Sequence, residues 1–307
     1  MFRNLLEWGA VALATVGHHD PNIISYGPLP QRIAVYDHVI EAKSMDYWNG
    51  PLTLDPNSLE YVRGKQRFRN PSNYGLAALP VGLPEWRNRL LHLDTRCNQP
   101  TPLTDRQSLG LKMIAQDAEL LPNGAMTWRY DFALNYLNMV FQPGFNSAFS
   151  QAVNIAALLF AECKTNNRAY LDLANRAALG LITPIADGGL LNEEDGMTFF
   201  EELPAPIGLS PHILNADILS INVLFAMAAR TGDERFKDLA DRGADTLLKL
   251  APQYDAPKCI KYDLKQNNGC HPDYVAYEAV LFEDLARWTG DDRFKWLSER
   301  WTSRVSK

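Results

Sequence analysis

The feature that most constrains the fold is a twelve-residue segment that occurs twice near the end of the chain. Residues 231–242 read Thr-Gly-Asp-Glu-Arg-Phe-Lys-Asp-Leu-Ala-Asp-Arg, and residues 289–300 read Thr-Gly-Asp-Asp-Arg-Phe-Lys-Trp-Leu-Ser-Glu-Arg. A looser copy occupies residues 165–176, so the three copies begin 66 and 58 residues apart. Each copy follows an apolar stretch. Repetition at such spacing is typical of folds that stack one supersecondary unit several times.

One unit of this repeat has the sequence signals of a helical hairpin. Gly232 and Gly290 suit the left-handed position that ends a helix, and Asp233 and Asp291 suit the position that caps the next helix. The first helix of each pair is apolar around most of its circumference and the second is amphipathic, which predicts an inner and an outer layer. We therefore predict an all-α fold, an (α/α) toroid of repeated hairpins, whose loops at one rim carry the function.

Residues 1–110 differ in composition from the rest of the chain. They hold ten of its 19 prolines, and their strand signal is poor. Capped helix starts at Asp55 and Pro84 predict degenerate helical hairpins with long loops. We expect this proline-rich part to complete or cover the toroid, while residues 111–307 form the toroid itself and its catalytic part.

Composition excludes several classes of function. The chain has 307 residues, with 36 acidic and 30 Lys or Arg side chains, and the resulting charge of −6 excludes a general nucleic-acid binder. No apolar run reaches the roughly 18 residues of a membrane span. The four cysteines form no CxxC pair, which favours free thiols and a cytoplasmic location. Export from the cytoplasm is the alternative. Residues 5–16 resemble a weak signal peptide, and in an exported protein Cys259 and Cys270 would form a disulfide across the loop between them.

Motifs of the common cofactor and nucleophile sites are absent from the sequence. It contains no nucleophile elbow, phosphate loop, dinucleotide fingerprint or zinc-protease motif. No two histidines are spaced as metal ligands on one helix face. We therefore expect neither a metal nor another cofactor.

Two loops of the predicted toroid hold the best candidates for acid–base chemistry. Glu201 and Glu202 follow two phenylalanines and precede a proline, so one of these carboxylates is expected in an apolar site with a raised pKa. The second loop carries Tyr262 and Tyr274 with lysines nearby, and a neighbouring cation lowers the pKa of a phenol. The pattern suits proton transfer, while a solvated acidic loop and packing tyrosines are the simpler alternatives.

Several polar and basic residues are candidates for binding an acidic substrate. Arg129 can bind a carboxylate bidentately, and Arg67 belongs to a run with four positive charges in seven residues. Lys261 and Lys265 lie in the same loop as Tyr262, and Asn215 either caps a helix or faces a cavity. The expected partner is a small-molecule or oligosaccharide acidic substrate, and a homodimer is left open.

Residues 128–301 resemble the C-terminal catalytic domain of the D-glucuronyl C5-epimerase family. The matching pieces occur in the family's order. Residues 143–151 resemble its Pro-x-x-Ser-Ala-x-x-Gln segment, and residues 200–204, Phe-Glu-Glu-Leu-Pro, resemble its Tyr-Glu-Glu-Tyr-Pro. Residues 211–215 resemble its Val-Leu-Asn-Gly segment, and the Tyr-Asp pairs within residues 250–264 resemble two further motifs.

The resemblance implies an α/α toroid and metal-free chemistry that inverts C5 of glucuronate in a heparosan-type polysaccharide. A base removes the C5 proton on one face and an acid returns a proton on the other. Carried over by motif, the catalytic groups are Glu202, Tyr262 and Tyr274, and Asn215 has a binding role. The sequence departs from the family at Leu203, which replaces a tyrosine, and after Tyr274, where Val275 replaces a histidine.

These observations predict an isomerase of the epimerase type that acts by metal-independent proton transfer next to a carboxylate. A biosynthetic isomerase or cyclase acting on a small acidic metabolite is the first alternative. A uronate lyase would use the same proton abstraction. A glycoside hydrolase would need two facing carboxylates, and the sequence offers a carboxylate only in the Glu201–Glu202 region. A helical-repeat binding module is the alternative without catalysis.

Overall fold

The structure is a computed structural model that describes residues 23–24, 52–80, 102–137, 139–206, 208–256, 259–265 and 272–305. Eight α-helices dominate this described part, and they form four consecutive pairs. They are α1 (Ser72–Ala78), α2 (Asp105–Gln116), α3 (Ala148–Thr165), α4 (Arg168–Ile182), α5 (Leu214–Thr231), α6 (Glu234–Tyr254), α7 (Pro272–Thr289) and α8 (Asp292–Val305).

The helices are arranged in two layers, as the repeat predicts. The first helices of the pairs, α1, α3, α5 and α7, contact one another in that order, and each also packs against its own partner. Fourteen of the 18 residues of α3 are buried, and the same holds for α5, whereas α6 buries nine of its 21. The predicted inner and outer helices are therefore confirmed over the described residues.

The turns between paired helices follow the predicted chemistry. Gly232 ends α5 with a φ of 71°, and Asp233 then accepts a hydrogen bond from the Arg235 amide at 3.1 Å. Gly290 and Asp291 repeat this arrangement between α7 and α8. In the looser copy, Asn166 takes the left-handed position and Asn167 caps α4. The repeated sequence therefore encodes a repeated helix–turn–helix junction.

The N-terminal part packs directly on the hairpin array. Gly75 in α1 lies so close to α3 that an added Cβ would be 2.6 Å from a methyl of Val153 and 2.7 Å from the amide oxygen of Asn154. One buried cluster of side chains runs from Leu59 and Tyr74 to Trp301. Residues 52–80 therefore share a core with residues beyond 111.

Twelve short strands form five small sheets in the described loops, so the expectation of an all-α fold is too simple. The described chain is helix-rich with small sheets. The sheets form because the long connections between helical hairpins fold back on themselves. The strands are β1 (Ile23–Ile24), β2 (Thr53–Leu54), β3 (Tyr61–Arg63), β4 (Gln66–Phe68), β5 (Glu119–Leu120), β6 (Met126–Thr127), β7 (Leu134–Tyr136), β8 (Met139–Phe141), β9 (Leu191–Glu194), β10 (Met197–Phe200), β11 (Asp255–Ala256) and β12 (Cys259–Ile260).

The pairing of these strands is mostly local. β2, β3 and β4 form an antiparallel sheet, and β5–β6, β9–β10 and β11–β12 are antiparallel pairs. In the remaining sheet β8 lies between β7 and β1 and is parallel to β1. The sheets lie in the segments that precede the inner helices, and Leu134 of β7 lines a pocket described below.

Cys163, near the end of α3, is disulfide-bonded, so the prediction of free thiols is wrong at this position. Cys163 is the one cysteine whose side chain the structure describes. Disulfides persist mainly in oxidising compartments, which removes the cysteine argument for a cytoplasmic location. Separately, none of the described helices is long and apolar enough to cross a membrane.

Candidate active site

The segments that lead into the inner helices are tied to one another by backbone hydrogen bonds. The Ala148 amide, at the start of α3, donates to the Glu201 carbonyl at 3.0 Å. The Leu214 amide, at the start of α5, donates to the Tyr262 carbonyl at 3.0 Å. Three successive loops therefore meet at one place, as expected for a rim that carries the function.

Glu202 and Tyr262 form a direct contact at this junction. The Tyr262 hydroxyl lies 3.3 Å from each carboxyl oxygen of Glu202, a distance within the range of a long hydrogen bond. Removal from water raises the pKa of Glu202 to about 7, and the bond from Tyr262 opposes that rise. Close to neutral pH this carboxyl group can therefore either take or give a proton.

Glu202 faces a pocket of about 60 Å³, and five of the eight residues that line it are aromatic or aliphatic. The rings of Tyr130 and Phe145 are stacked, with centroids 4.5 Å apart and planes 8° from parallel. Leu203, at the position of the family's tyrosine, is part of the wall and offers no proton. The lining residues are Asn70, Tyr130, Phe132, Leu134, Phe145, Ser147, Glu202 and Leu203.

Glu201 points away from the pocket, which settles which carboxylate occupies the apolar site. It is 1% exposed, and its carboxylate accepts hydrogen bonds from the Asn192 amide at 3.0 Å and from Nδ1 of His212 at 2.7 Å. The His212 ring stacks on Phe199 at 4.0 Å between centroids. Glu201 is thus anchored in the core, while its neighbour Glu202 faces the pocket.

Tyr262 is held in place by the residues on either side of it. Asp263 pairs with Ile213 as a β-bridge, and the Leu264 amide donates to the Pro211 carbonyl at 3.1 Å. The Asp263 carboxylate, 1% exposed, accepts from the Tyr136 hydroxyl at 2.6 Å and from the Lys265 amide at 2.7 Å. Tyr136 belongs to β7, so strands of a distant loop fix the position of Tyr262.

Two more buried acids near this region have raised pKa values. Burial raises the pKa of Asp217 well above its usual value, with the negative charge of Glu201 adding to the rise. Its Oδ1 accepts from the Phe200 amide at 2.8 Å, and its other oxygen has no partner. Burial also raises the pKa of Glu278 in α7. Because ionisation of these buried groups is unfavourable, they lower the free energy of unfolding as the pH rises.

The predicted binding residues mostly lie elsewhere, and none of the five lines the pocket. Arg129 donates to the Gly144 carbonyl at 3.0 Å and is 3.7 Å from the Glu119 carboxylate. Arg67 is exposed and forms ion pairs with Asp55 and Glu60 on the β2–β4 sheet. These two arginines hold the protein's own carboxylates, because each lies beside an acidic residue on a neighbouring strand or loop.

The remaining predictions divide between buried and outward positions. Lys265 donates from Nζ to the Gly208 carbonyl at 3.0 Å, and Lys261 is half-buried, with its backbone amide bonded to the Tyr254 carbonyl. Asn215 is 3% exposed, and its Oδ1 has no hydrogen-bond partner. The Tyr274 side chain lies outside the described residues, although its backbone belongs to α7.

Several site residues escaped sequence reasoning because their role depends on tertiary contacts. Ser147 and Asn70 line the pocket, and His212 holds Glu201. Next to Asn70, the Arg69 side chain lies 3.5 Å from the Asp117 carboxylate and 4.0 Å from that of Asp131, so this arginine also holds carboxylates of the protein. Ser147 carried a usable signal, because it lies in the family-like segment 143–151. Within the described ranges, no three His, Cys, Asp or Glu side chains are grouped as metal ligands.

Comparison with known proteins places the larger part of the sequence in a family. Residues 123–303 match the family described as D-glucuronyl C5-epimerase C-terminus. A D-glucuronyl C5-epimerase of Caenorhabditis elegans is 26% identical over 181 residues, which cover 53% of this chain and 29% of that protein. This chain therefore matches less than a third of the length of that relative.

Two solved structures of glycoside hydrolase family 76 also align with this chain. A GH76 α-mannanase of Bacteroides thetaiotaomicron aligns with a TM-score of 0.54 at 10% identity, over 89% of this chain and 68% of that chain. A family 76 mannosidase of the same species gives a TM-score of 0.47 at 13% identity, over 85% and 66%. The first likeness shows a shared fold and says nothing about activity. Because the matched family segment spans more than half of the sequence, this chain belongs to the D-glucuronyl C5-epimerase C-terminal family.

Proposed function

We propose that this protein is an isomerase of the glucuronyl C5-epimerase type, which inverts the carbon next to the carboxylate of a uronate-containing substrate. The observation that carries this proposal is the contact of Tyr262 with Glu202 at the wall of an aromatic pocket, with the pKa of Glu202 raised to about 7. A carboxyl group poised near neutral pH, with a phenol touching it, suits proton abstraction from carbon.

The proposed reaction uses two groups on opposite faces of the sugar. The Glu202 carboxylate takes the C5 proton, and the electron pair left on C5 delocalises into the substrate carboxylate as an enediolate. Tyr274, at the start of α7, returns a proton to the opposite face. Tyr262 donates its hydrogen bond to Glu202 and sets the orientation of the base. No metal has a role in these steps.

The scaffold proposed for this reaction is a closed (α/α) toroid. The four described hairpins lie side by side with their inner helices in consecutive contact, which supports an arc of such a ring. The fold shared with the α-mannanase supports the same arrangement. In this proposal the hairpin of α1 and α2 supplies part of the ring from the proline-rich N-terminal part, and its preceding segment supplies Asn70 to the pocket.

A uronate lyase is the second candidate, and Leu203 is the observation that favours it. This leucine lies in the pocket wall at the position of a family tyrosine, so one proton donor is missing beside the reacting carbon. Elimination needs removal of the C5 proton and departure of the C4 substituent, with no proton returned to C5. An unsaturated uronate product, detected by ultraviolet absorbance, would identify this reaction.

The test is hydrogen exchange at C5 in D₂O, with glucuronate-containing oligosaccharides of the heparosan type as substrate. Wild-type protein should incorporate deuterium at C5 and yield the inverted sugar, both detected by NMR. Glu202→Gln should lower the rate by about 10²-fold or more, because it removes the base. Tyr262→Phe should lower the rate by about tenfold, because it removes the hydrogen bond that orients the base, and both changes keep side-chain volume. Tyr170→Phe, in the outer helix α4, is the matched control. Full activity of both site variants would remove the assignment.

A further inference from the structure

The pocket has no positive side chain that could hold a substrate carboxylate. None of the eight residues that line it is Lys, Arg or His. Arg129 is bonded to the Gly144 carbonyl and lies beside Glu119. Removing a proton next to a carboxylate places negative charge on the carboxylate oxygens, and this charge needs donors that are already oriented. The donors must therefore be groups other than a positive side chain of the lining.

The N-terminus of α3 opens at this pocket and has unused donors. Its N-cap, Ser147, makes no side-chain capping bond, and the first turn of the helix has no acidic residue. The Ala148 amide donates to the Glu201 carbonyl, but the Phe149 and Ser150 amides have no acceptor within the described chain. The first amides of an 18-residue helix carry a partial positive charge and favour anions.

The Ser147 side chain gives an independent indication of a ligand. Ser147 is 2% exposed, its Oγ has no hydrogen-bond partner, and it lines the same pocket as Glu202. A serine at an N-cap normally accepts a hydrogen bond from the helix, because that contact satisfies a free amide. Here the Ser147 hydroxyl and the Phe149 and Ser150 amides are all left unsatisfied by the described residues, and Ser147 lines the cavity. A buried polar group without a partner is costly unless a ligand satisfies it.

We propose that the N-terminus of α3 and the Ser147 hydroxyl form a carboxylate-binding subsite, which holds the carboxylate of the substrate beside Glu202. The identity of that substrate as a uronate rests on the proposed function. The Ser147 hydroxyl and the amides of the first turn donate to the carboxylate oxygens. When Glu202 removes the adjacent proton, the same donors stabilise the enediolate.

The size and charge of the pocket fit this assignment. A pocket of about 60 Å³ exceeds the roughly 10–15 Å³ that one water needs, so a carboxylate group fits while most of the sugar ring stays outside. A bound anion also raises the pKa of Glu202 further, since a like charge disfavours ionisation. The substrate therefore strengthens the base that acts on it.

The experiment measures binding of sodium D-glucuronate and of D-glucose by NMR titration, without requiring turnover. Wild-type protein should bind glucuronate and not glucose. Ser147→Ala should weaken binding about tenfold, because one hydrogen bond to a charged group is lost. Ser147→Asp should abolish binding, since its carboxylate caps α3 and occupies the subsite. Asn167→Asp makes the same charge change at the N-cap of α4, where Asn167 is exposed, and should leave binding unchanged.

The outcomes separate this subsite from the proposed reaction. Absence of glucuronate binding by the wild type overturns the subsite, and so does equal binding by the Ser147→Asp and Asn167→Asp variants. Thermal unfolding checks folding, and Ser147→Asp should be at least as stable as wild type, because aspartate is a good N-cap. Glucuronate binding that depends on Ser147, without exchange of the C5 proton, supports the subsite and contradicts the epimerase reaction.

Discussion

The hairpin junctions and the rim loops of this molecule differ in how far apart their interacting residues lie in the sequence. In the junction of α5 and α6, the Thr231 hydroxyl bonds the carbonyl four residues before it, and Asp233 caps an amide two residues after it. At the rim, Tyr262 contacts Glu202 across 60 residues, and Tyr136 contacts Asp263 across 127. The junctions are therefore local structures, whereas the site is assembled by the whole fold.

The two regions also differ in what they do to stability. Junction side chains satisfy free helix amides and so stabilise the fold. At the rim, Glu202 sits where its ionisation is unfavourable, and the Ser147 hydroxyl and the Asn215 amide oxygen lack partners. Unsatisfied or perturbed groups at functional sites are a general cost of binding and catalysis. Substitutions at the junctions should consequently lower stability and leave activity unchanged. Substitutions at the rim should lower activity and leave stability unchanged or raise it.

The largest effect expected from this comparison is a pH-dependent change of stability at Glu202. A pKa raised from 4.5 to about 7 costs the folded state about 3 kcal/mol at pH values above 7, and nothing below about 4.5. The sign follows from proton counting. Between these values the folded state binds more protons than the unfolded state, so stability falls as the pH rises.

Glu202→Gln removes this titration and should flatten the pH profile. Urea unfolding of both proteins between about pH 5 and pH 8 measures the difference, and the variant should gain on the wild type by up to about 3 kcal/mol as pH increases. Asp217 and Glu278 produce a slope of the same sign in both proteins, so the difference isolates Glu202. Parallel profiles would show that Glu202 has an ordinary pKa and is not poised for proton transfer.

The same contrast explains which parts of the molecule could be predicted from the sequence. The junctions were readable because Gly232 and Asp233 act on neighbouring residues, and their repetition at 290 and 291 predicted stacked hairpins. The strands were missed because pairs such as β9 and β10 are short and have no long alternating pattern. Cys163 gave no sign of its disulfide, since pairing depends on spatial proximity that sequence spacing does not reveal.

For the site, the local sequence pattern identifies the acidic pair but does not separate its members, and only the resemblance to the family assigns Glu202 as catalytic. Glu201 and Glu202 are adjacent and share the same flanking residues, so the local sequence does not distinguish them. The hydrogen bond of Glu201 with His212 distinguishes them in the structure. Arg129 and Arg67 are predicted to bind substrate, yet each is paired with acidic or carbonyl groups of the protein through contacts between neighbouring strands and loops. Ser147 was visible only as part of a motif, because its missing capping bond is a feature of three-dimensional structure.

The second prediction tests whether the contact of His212 with Glu201 sets the geometry of the reacting pair. His212 has a φ of 54°, its ring stacks on Phe199, and its Nδ1 bonds Glu201. His212→Phe keeps the ring and loses the donor, whereas His212→Asn keeps a donor near the Nδ1 position and tolerates the left-handed backbone. We expect about tenfold lower kcat for His212→Phe and a smaller loss for His212→Asn.

The controls for this pair are KM and thermal stability. An effect of geometry at the base lowers kcat with little change of KM, whereas a distorted binding pocket raises KM. If His212→Asn is the more impaired variant, the ring stack on Phe199 rather than the hydrogen bond positions the segment. Equal activity of both variants with the wild type would show that Glu202 and Tyr262 are held by other contacts, such as that of Asp263 with Tyr136.

The smallest effect is expected at the hairpin junctions, where we predict equal losses of stability at two equivalent positions. Asp233→Ala and Asp291→Ala each remove an N-cap bond at the same place in two copies of the repeat, at 3.1 and 2.9 Å. Each should lower the free energy of unfolding by about 1 kcal/mol, and the two losses should add, because the junctions share no partner. Activity in the C5 exchange assay should remain unchanged, since both caps lie outside the residues that line the pocket. Asn167→Ala extends the series to the looser copy. A loss of activity in one cap variant at unchanged stability would mean that its hairpin affects the geometry of the rim. The junctions and the site would then not be independent of each other.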